Sequence, residues 1–256
     1  MPSDANQRRA VRQKKARRRR LKIAFIMFLI ISLITLAIMC FTVFFPIKRI
    51  NVSGSESYSK SQIVKASKLT TDDNLFVVSE KEIENNIRKV LPYVDSVNVK
   101  RILPDAVILT VTDAEEYAYY QSNDEYYILS ENGYILKQQS EKPENVFEIV
   151  TGGISGKVGE KVTYKNLPEE ELVNTLIEGL SKKEINIDKI DVSNILEIVL
   201  EIEGRFIVTL GNTDYTQEKI AHLAGMIDNI PDRKGRINLS MWTPTSSQGS
   251  FVEENN

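Results

Sequence analysis

Apolar residues are distributed along the chain in distinct ways. Residues 23–45 (IAFIMFLIISLITLAIMCFTVFF) form an unbroken apolar run without a charge. Between 46 and 113, short alternating stretches bracket two stretches of helical spacing. From 114 to 242 alternation dominates, with two more helical stretches set into it, and 243–256 is polar. Alternation puts every second side chain on one face of a strand, and a spacing of three or four lines one face of a helix. The pattern therefore predicts an α+β protein behind an apolar N-terminal segment.

In the first folded stretch, 47–52 (IKRINV) alternates and runs into Ser53-Gly54-Ser55, a strand followed by a turn. Ser59 with Gln62 three residues later is a capping box, and Ile63, Val64, Ala66 and Leu69 give the helix an apolar side. Thr70 to Asn74 reads as a loop and 75–78 (LFVV) as a short apolar run. Ser79 with Glu82 makes a second capping box. Ile83, Ile87, Val90 and Leu91 follow at helical spacing, and Pro92 stops the helix. Residues 94–101 and 106–112 alternate on either side of Leu103-Pro104-Asp105, with Val97 and Val99 on one face. The order is β-α-α-β-β, and two helices on one face of a three-stranded sheet bury these stripes economically. Glu80, Glu82 and Glu84 read as a solvated helix start.

The second stretch opens with aromatic-rich strands at 117–121 and 125–130. Glu131-Asn132-Gly133 is a tight turn and 134–138 completes a hairpin. Residues 145–150 form a further strand. Gly152, Gly153, Gly156 and Gly159 crowd one segment, which reads as a flexible connection because it lacks the Lys-Ser/Thr ending of a phosphate-binding loop. Residues 168–183 are an amphipathic helix with Leu172, Val173, Leu176, Ile177 and Leu180 inward. Strands follow at 188–192, 196–202 and 205–210, where Leu196, Ile198, Leu200 and Ile202 share a buried face. A helix at 216–229 carries Ile220, Leu223, Ile227 and Ile230, with His222 beside that stripe. A last strand, 236–242, carries Ile237, Leu239 and Met241 on one face. The polar tail 243–256 is expected to be disordered.

Charge gives the apolar run a direction. Residues 1–22 hold ten Lys or Arg and one acid, leaving 23 bases against 34 acids in 46–256, although the formal net charge is only −2. A 23-residue helix extends roughly 35 Å, enough to cross a hydrocarbon core of about 30 Å. Bases stay on the cytoplasmic side, so 1–22 is expected inside as a basic tail, 23–45 as a single transmembrane helix, and the remainder outside. The run is longer than a signal-peptide core and ends in Phe44, Phe45 and Pro46 rather than a small-x-small site. Topology accounts for the basic tail without a nucleic-acid partner.

The segment from Pro46 to Asp113 resembles a POTRA domain. The residues that carry the likeness are Ile50, Val52 and Gly54, then Asn74-Leu75-Phe76, then Ile87, Leu91, Pro92 and Val94, and finally Val97-x-Val99-x-Arg101-x-Leu103-Pro104 with Ile108 and Val111. A basic tail, one anchor, a POTRA unit and a further domain together resemble the bacterial cell division family FtsQ/DivIB. The resemblance runs from about Lys22 to Trp242 and implies a POTRA domain at 46–113 and a β domain at 114–242, the latter a second α+β unit with a mixed or antiparallel sheet.

Chemistry narrows the function by what is lacking. One Cys (Cys40) permits no disulfide within the chain, and one His (His222) with no folded Cys builds no Cys/His metal centre. No nucleophile-elbow motif accompanies His222, and no carboxylate pair stands out. No catalytic residue, cofactor or metal is expected. A sheet edge, in contrast, offers unpaired N–H and C=O groups to a partner strand. The last strand, followed by a loose tail and showing Asn238, Ser240 and Trp242 opposite its apolar face, is the expected docking edge: Arg236, Ile237, Asn238, Leu239, Ser240, Met241 and Trp242. The resemblance points to the same strand, 235–242 matching a Gly-x-Ile-Asp-Leu run with Asn238 in place of Asp. It implies bitopic FtsL-type and DivIC/FtsB-type partners, an indirect link to the septal peptidoglycan synthase, and a single-pass septal membrane location. The competing classes are a POTRA-containing envelope chaperone and a membrane-anchored wall-binding sensor.

Overall fold

A computed structural model describes residues 20–36, 39, 45–246 and 248–254. A first helix, α1, spans 20–36 with its side chains exposed. No described helix is long and apolar enough to cross a membrane. Most of the expected tail at 1–22, Cys40, and the last turns of the expected span lie outside the described residues.

The smaller of two sheets is built from β1 (Arg49–Ser53), β2 (Val94–Ile102) and β3 (Ala106–Asp113), with α2 (Lys60–Ser67) and α3 (Glu80–Val90) between β1 and β2. Its order is β1-β3-β2, β1 parallel and β2 antiparallel to the central β3. Ser59 starts α2 as a complete capping box: its hydroxyl takes the Gln62 N–H, and Gln62 Oε1 takes the Ser59 N–H at 2.9 Å. At α3 only the forward half forms, Ser79 Oγ accepting from Glu82 N at 3.4 Å. Two of the three acids that follow, Glu80 and Glu84, are not simply solvated. Glu80 accepts the Val99 N–H at 3.0 Å and Glu84 pairs with Arg88 at 2.7 Å, because α3 lies directly over β2. The inward side chains, among them Ile63, Ile83, Ile87, Val97, Val99, Leu109 and Val111, form one core. The 75–78 run is a turn: Leu75 is buried, while Phe76 and Val77 point out. Gly54 sits at φ +98°, and a Cβ there would lie 2.2 Å from the Val111 carbonyl oxygen, so the turn after β1 requires glycine.

The larger unit adds β4 (Ala118–Ser122), β5 (Glu125–Leu129), β6 (Ile135–Gln139), β7 (Phe147–Val150), β8 (Ile154–Ser155), β9 (Thr163–Tyr164), α4 (Leu167–Ser181), β10 (Ile187–Asp191), β11 (Ile198–Ile202), β12 (Phe206–Gly211), α5 (Thr216–Asp228), β13 (Gly235–Asn238) and β14 (Ser250–Glu253). Nine strands make one mixed sheet in the order β14-β13-β12-β11-β10-β7-β4-β5-β6. Two parallel pairs, β7 with β10 and β12 with β13, are bridged by α4 and α5. Crossovers of one hand put both helices on one face. There Leu172, Val173, Leu176 and Leu180 of α4 and Ile220, Leu223 and Ile227 of α5 join the inner faces of β10–β13 in a second core.

Three sequence expectations fail locally. The glycine-rich segment forms the β8–β9 ribbon rather than an unstructured connection. Leu196 lies in the turn before β11 and is exposed, so the buried alternation starts at Ile198. The tail expected to be disordered contains β14, paired antiparallel with β13.

The two units are joined tightly. Arg88 is buried, bonds the Val94 and Asp95 carbonyl oxygens of the small sheet, and stacks its guanidinium 3.9 Å from the ring centroid of Tyr134, ahead of β6. Tyr93 Oη donates to Glu116 at 2.6 Å, Glu116 pairs with Lys137 at 2.7 Å, and Asn132 donates to Asp95 at 2.7 Å. Gly159 lies so close to the Arg88 carbonyl that a Cβ would come within 2.7 Å of it.

Candidate partner-binding site

The expected docking strand folds differently from its sequence pattern. Only Gly235–Asn238 is a strand, and it lies inside the sheet, parallel to β12 and antiparallel to β14. Asn238 then turns the chain: its Oδ1 accepts both the Ser240 N–H (2.9 Å) and the Ser240 hydroxyl (2.7 Å), as a side chain of this type does when it mimics a backbone turn. The Leu239 N–H is spent on the Thr209 carbonyl oxygen at 2.8 Å, and the Trp242 N–H on that of Leu239 at 3.1 Å. Ile237 and Leu239 are buried. Trp242 is buried as well, its ring stacked on His222 with centroids 5.2 Å apart. Its indole N–H has no hydrogen-bond partner among the described residues. Arg236 and Met241 alone in this set present large exposed side chains. Residues 236–242 are thus brought together, but as an internal strand and a turn rather than as an edge.

The edge belongs to β14. Glu254 N–H reaches inward to Lys234 O at 3.0 Å, and Val252 sits opposite Arg236. Antiparallel pairing alternates, so the N–H and C=O of Phe251 and Glu253 face away from β13. No strand among the described residues covers that side. Phe251 packs edge-on to Phe206 with centroids 6.2 Å apart, which pins β14 to the core, while Val252 is 64% exposed. Gly235 allows the approach, since a Cβ there would lie 2.2 Å from the Val252 carbonyl oxygen. The ion pairs Arg233–Glu253 (3.7 Å) and Lys234–Glu254 (3.9 Å) are exposed and contribute little. The far edge, β6, is partly occupied, because Ile135 exchanges backbone bonds with Glu160 and Gly159.

The strand Ser250–Glu253 is missing from the sequence reading because four residues with two apolar members give no measurable alternation. The available signal was Gly235, whose small size in a strand marks a close backbone approach.

Among the described residues, the titratable groups with shifted pKa values are spread over separate parts of the fold. Burial would raise the Asp113 carboxyl, but the Ser55 hydroxyl and the N–H groups of Ser57 and Glu56 outweigh it and hold it below the ordinary Asp value. Burial would likewise raise Glu116, but the hydrogen bonds from Lys137 and Tyr93 and the Lys137 charge outweigh it, and its carboxyl is lowered. Burial pushes Tyr120 and Tyr164 up to about 12. Lys219 is buried on the carbonyl oxygens of Leu210 (2.7 Å) and Asn212 (3.2 Å) and is lowered by burial. Asp113 and Lys219 each secure a turn or a strand end, Glu116 braces the junction of the two units, and Tyr120 stacks on Tyr127. Among the described residues, no group of three or more His, Cys, Asp or Glu is placed to hold a metal ion.

Comparison with known proteins agrees with this architecture. Residues 45–113 match the family model described as POTRA domain, FtsQ-type. The cell division protein DivIB of Clostridium tetani is 26% identical over 199 residues, 75% of this chain and 74% of that protein. DivIB of Clostridium acetobutylicum is 26% identical over 204 residues, 77% and 80% of the two chains. FtsQ of Streptomyces coelicolor is 22% identical over 209 residues, 80% and 78%. An FtsQ-type POTRA domain and kinship with DivIB and FtsQ proteins over most of the chain are therefore shown.

Proposed function

We propose that this chain, a relative of the DivIB and FtsQ division proteins, acts in bacterial cell division as a membrane-tied scaffold with no chemistry of its own. It captures a partner segment by strand addition and concentrates it at the division site. The uncharged run at 23–45 behind ten bases supports a single-pass anchor with the folded part outside. The partners in this reading are bitopic FtsL-type and DivIC/FtsB-type proteins, through which the chain positions the septal peptidoglycan synthase. Co-confinement to one membrane raises the effective concentration of segments whose separate affinities are modest.

The observation that carries the reading is the open side of β14, where the main-chain groups of Phe251 and Glu253 end the nine-stranded sheet. Residues 236–242 serve it indirectly, β13 as the strand on which β14 is laid and the Asn238 turn as the route to it. A Leu239→Pro change is a poor test, because it removes a bond inside the sheet at a buried residue.

Glu253→Pro is the better one. Proline is tolerated on an edge strand where its missing N–H faces solvent. The variant is expected to keep its circular dichroism spectrum and thermal midpoint, yet to lose co-purification of DivIC-type and FtsL-type partners and its midcell band in fluorescence microscopy. Undiminished capture by Glu253→Pro would rule out pairing on β14.

A further inference from the structure

Two loops and the point where the chain leaves its apolar run meet at one tip of the small unit. Phe45, the last residue of that run, accepts the Leu75 N–H at 2.9 Å and packs edge-on to Phe76 with ring centroids 5.1 Å apart. Pro46 bridges to Asn74, and Ile47 N–H bonds the Asp73 carbonyl oxygen at 2.8 Å. The β2–β3 turn reaches the same place. Lys48 N–H bonds Asp105 O at 2.8 Å, and Arg49 pairs with the Asp105 carboxylate at 2.7 Å. Arg101 stitches the two loops, its Nε to Leu75 O at 2.9 Å and its Nη2 to Val78 O at 2.7 Å.

This tip carries apolar residues where turns normally carry polar ones. Phe76 is 47% exposed, Val77 72%, Ile102 39% and Leu103 61%. Lys48, Arg49, Lys68 and Arg101 rim them, and Lys68 shares a shallow hollow with Val77. The acids nearby are Asp72, Asp73, Glu82 and Asp105, of which Asp73 takes the Thr70 N–H, Asp105 is engaged by Arg49 and Glu82 lines the same hollow as Lys68 and Val77. The opposite end of the same sheet is polar and acidic: Ser55, Glu56, Ser57, Asp95 and Asp113 gather there. An outer domain with net negative charge thus concentrates bases and exposed apolar side chains at the one end where its expected anchor arrives.

We propose that this tip is a bilayer seat: Phe76, Val77, Ile102 and Leu103 enter the headgroup layer, and the surrounding bases pair with anionic lipid phosphates. Apolar side chains at the boundary and bases at the phosphates are the two contributions that hold a peripheral surface on a membrane. The seat rests on the anchoring reading above and adds that the small unit lies against the membrane rather than swinging from it.

The test uses the full chain carrying Cys40→Ser and one new cysteine, labelled with an environment-sensitive fluorophore, in nanodiscs of phosphatidylcholine with or without phosphatidylglycerol. Labels at Val77→Cys and Leu103→Cys, both on exposed turns, are expected to shift to the blue and to be quenched by shallow doxyl lipids, more so with phosphatidylglycerol. A label at Leu196→Cys, exposed on the larger unit, is expected to show neither effect. Ile34→Cys, at the middle of the apolar run, reports on the anchor through quenching by deep doxyl lipids. Quenching at 34, with 77 and 103 behaving like 196, overturns the seat and leaves the anchor intact. No quenching at 34 overturns the anchor and the seat with it. Quenching at 77 and 103 that ignores phosphatidylglycerol overturns the phosphate pairing.

Discussion

Asp113 shows how one side chain closes a turn. Its carboxylate accepts from Ser55 Oγ at 2.6 Å and from the Glu56 and Ser57 N–H groups at 2.8 Å each, tying the end of β3 to the turn after β1. These bonds favour the charged form, so its folded pKa lies below the ordinary Asp value of about 3.9. A lowered carboxyl stabilises fully above its unfolded pKa and loses that contribution as pH falls through the folded one. The thermal midpoint is therefore expected to drop on acidification below about pH 4, and an Asp113→Asn variant to show a flatter dependence in that window. Residues such as Val97, Val99 and Ile87 were legible because strand alternation and helical spacing force them inward. Arg88 was not legible. Its spacing from Glu84 is that of an ordinary surface pair, and its burial comes from the Val94 and Asp95 carbonyl oxygens and from Tyr134, which meet it only in the fold.

Elements were legible in proportion to their length. Helices α2 to α5, the small sheet and the β4–β6 hairpins have enough residues for their period to show, and Ser59, Ser79 and Pro92 mark helix ends by local chemistry. The β8–β9 ribbon has two residues per strand and β14 four, too few for any period. The strand 236–242 was overextended because Leu239 and Met241 continue its alternation, while Asn238 bends the backbone under them. At this scale Gly235 decides whether β14 can close. A Gly235→Val side chain would meet the Val252 carbonyl oxygen and the Phe251 ring, so it is expected to destabilise the larger unit by about 2 kcal/mol. Amide exchange at Val252 and Glu254, whose N–H groups face β13, should rise and partner capture fall together. Retained protection at those amides would mean that the close approach is not what limits β14.

That a small three-stranded unit precedes a larger sheet was legible, whereas the junction between them was not, since it is made by side chains that meet only after both units fold. Arg88→Met leaves the Val94 and Asp95 carbonyl oxygens without donors and Glu84 without its cation. It is expected to cost about 3 kcal/mol, and paramagnetic distance measurements between the two units should broaden with it. In the intact protein, β3 passes to β4 through residues 114–117, and that passage is held by the Ala114–Tyr93, Tyr93–Glu116 and Tyr117–Leu129 hydrogen bonds. In the proposed anchoring, a brace of this kind would set the height of the β14 rim above the lipid. A membrane-spanning companion of the proposed kind would then need a stalk long enough to lift its pairing segment to that height. Trimming the stalk would starve the complex even though the segment, offered free in solution, still binds.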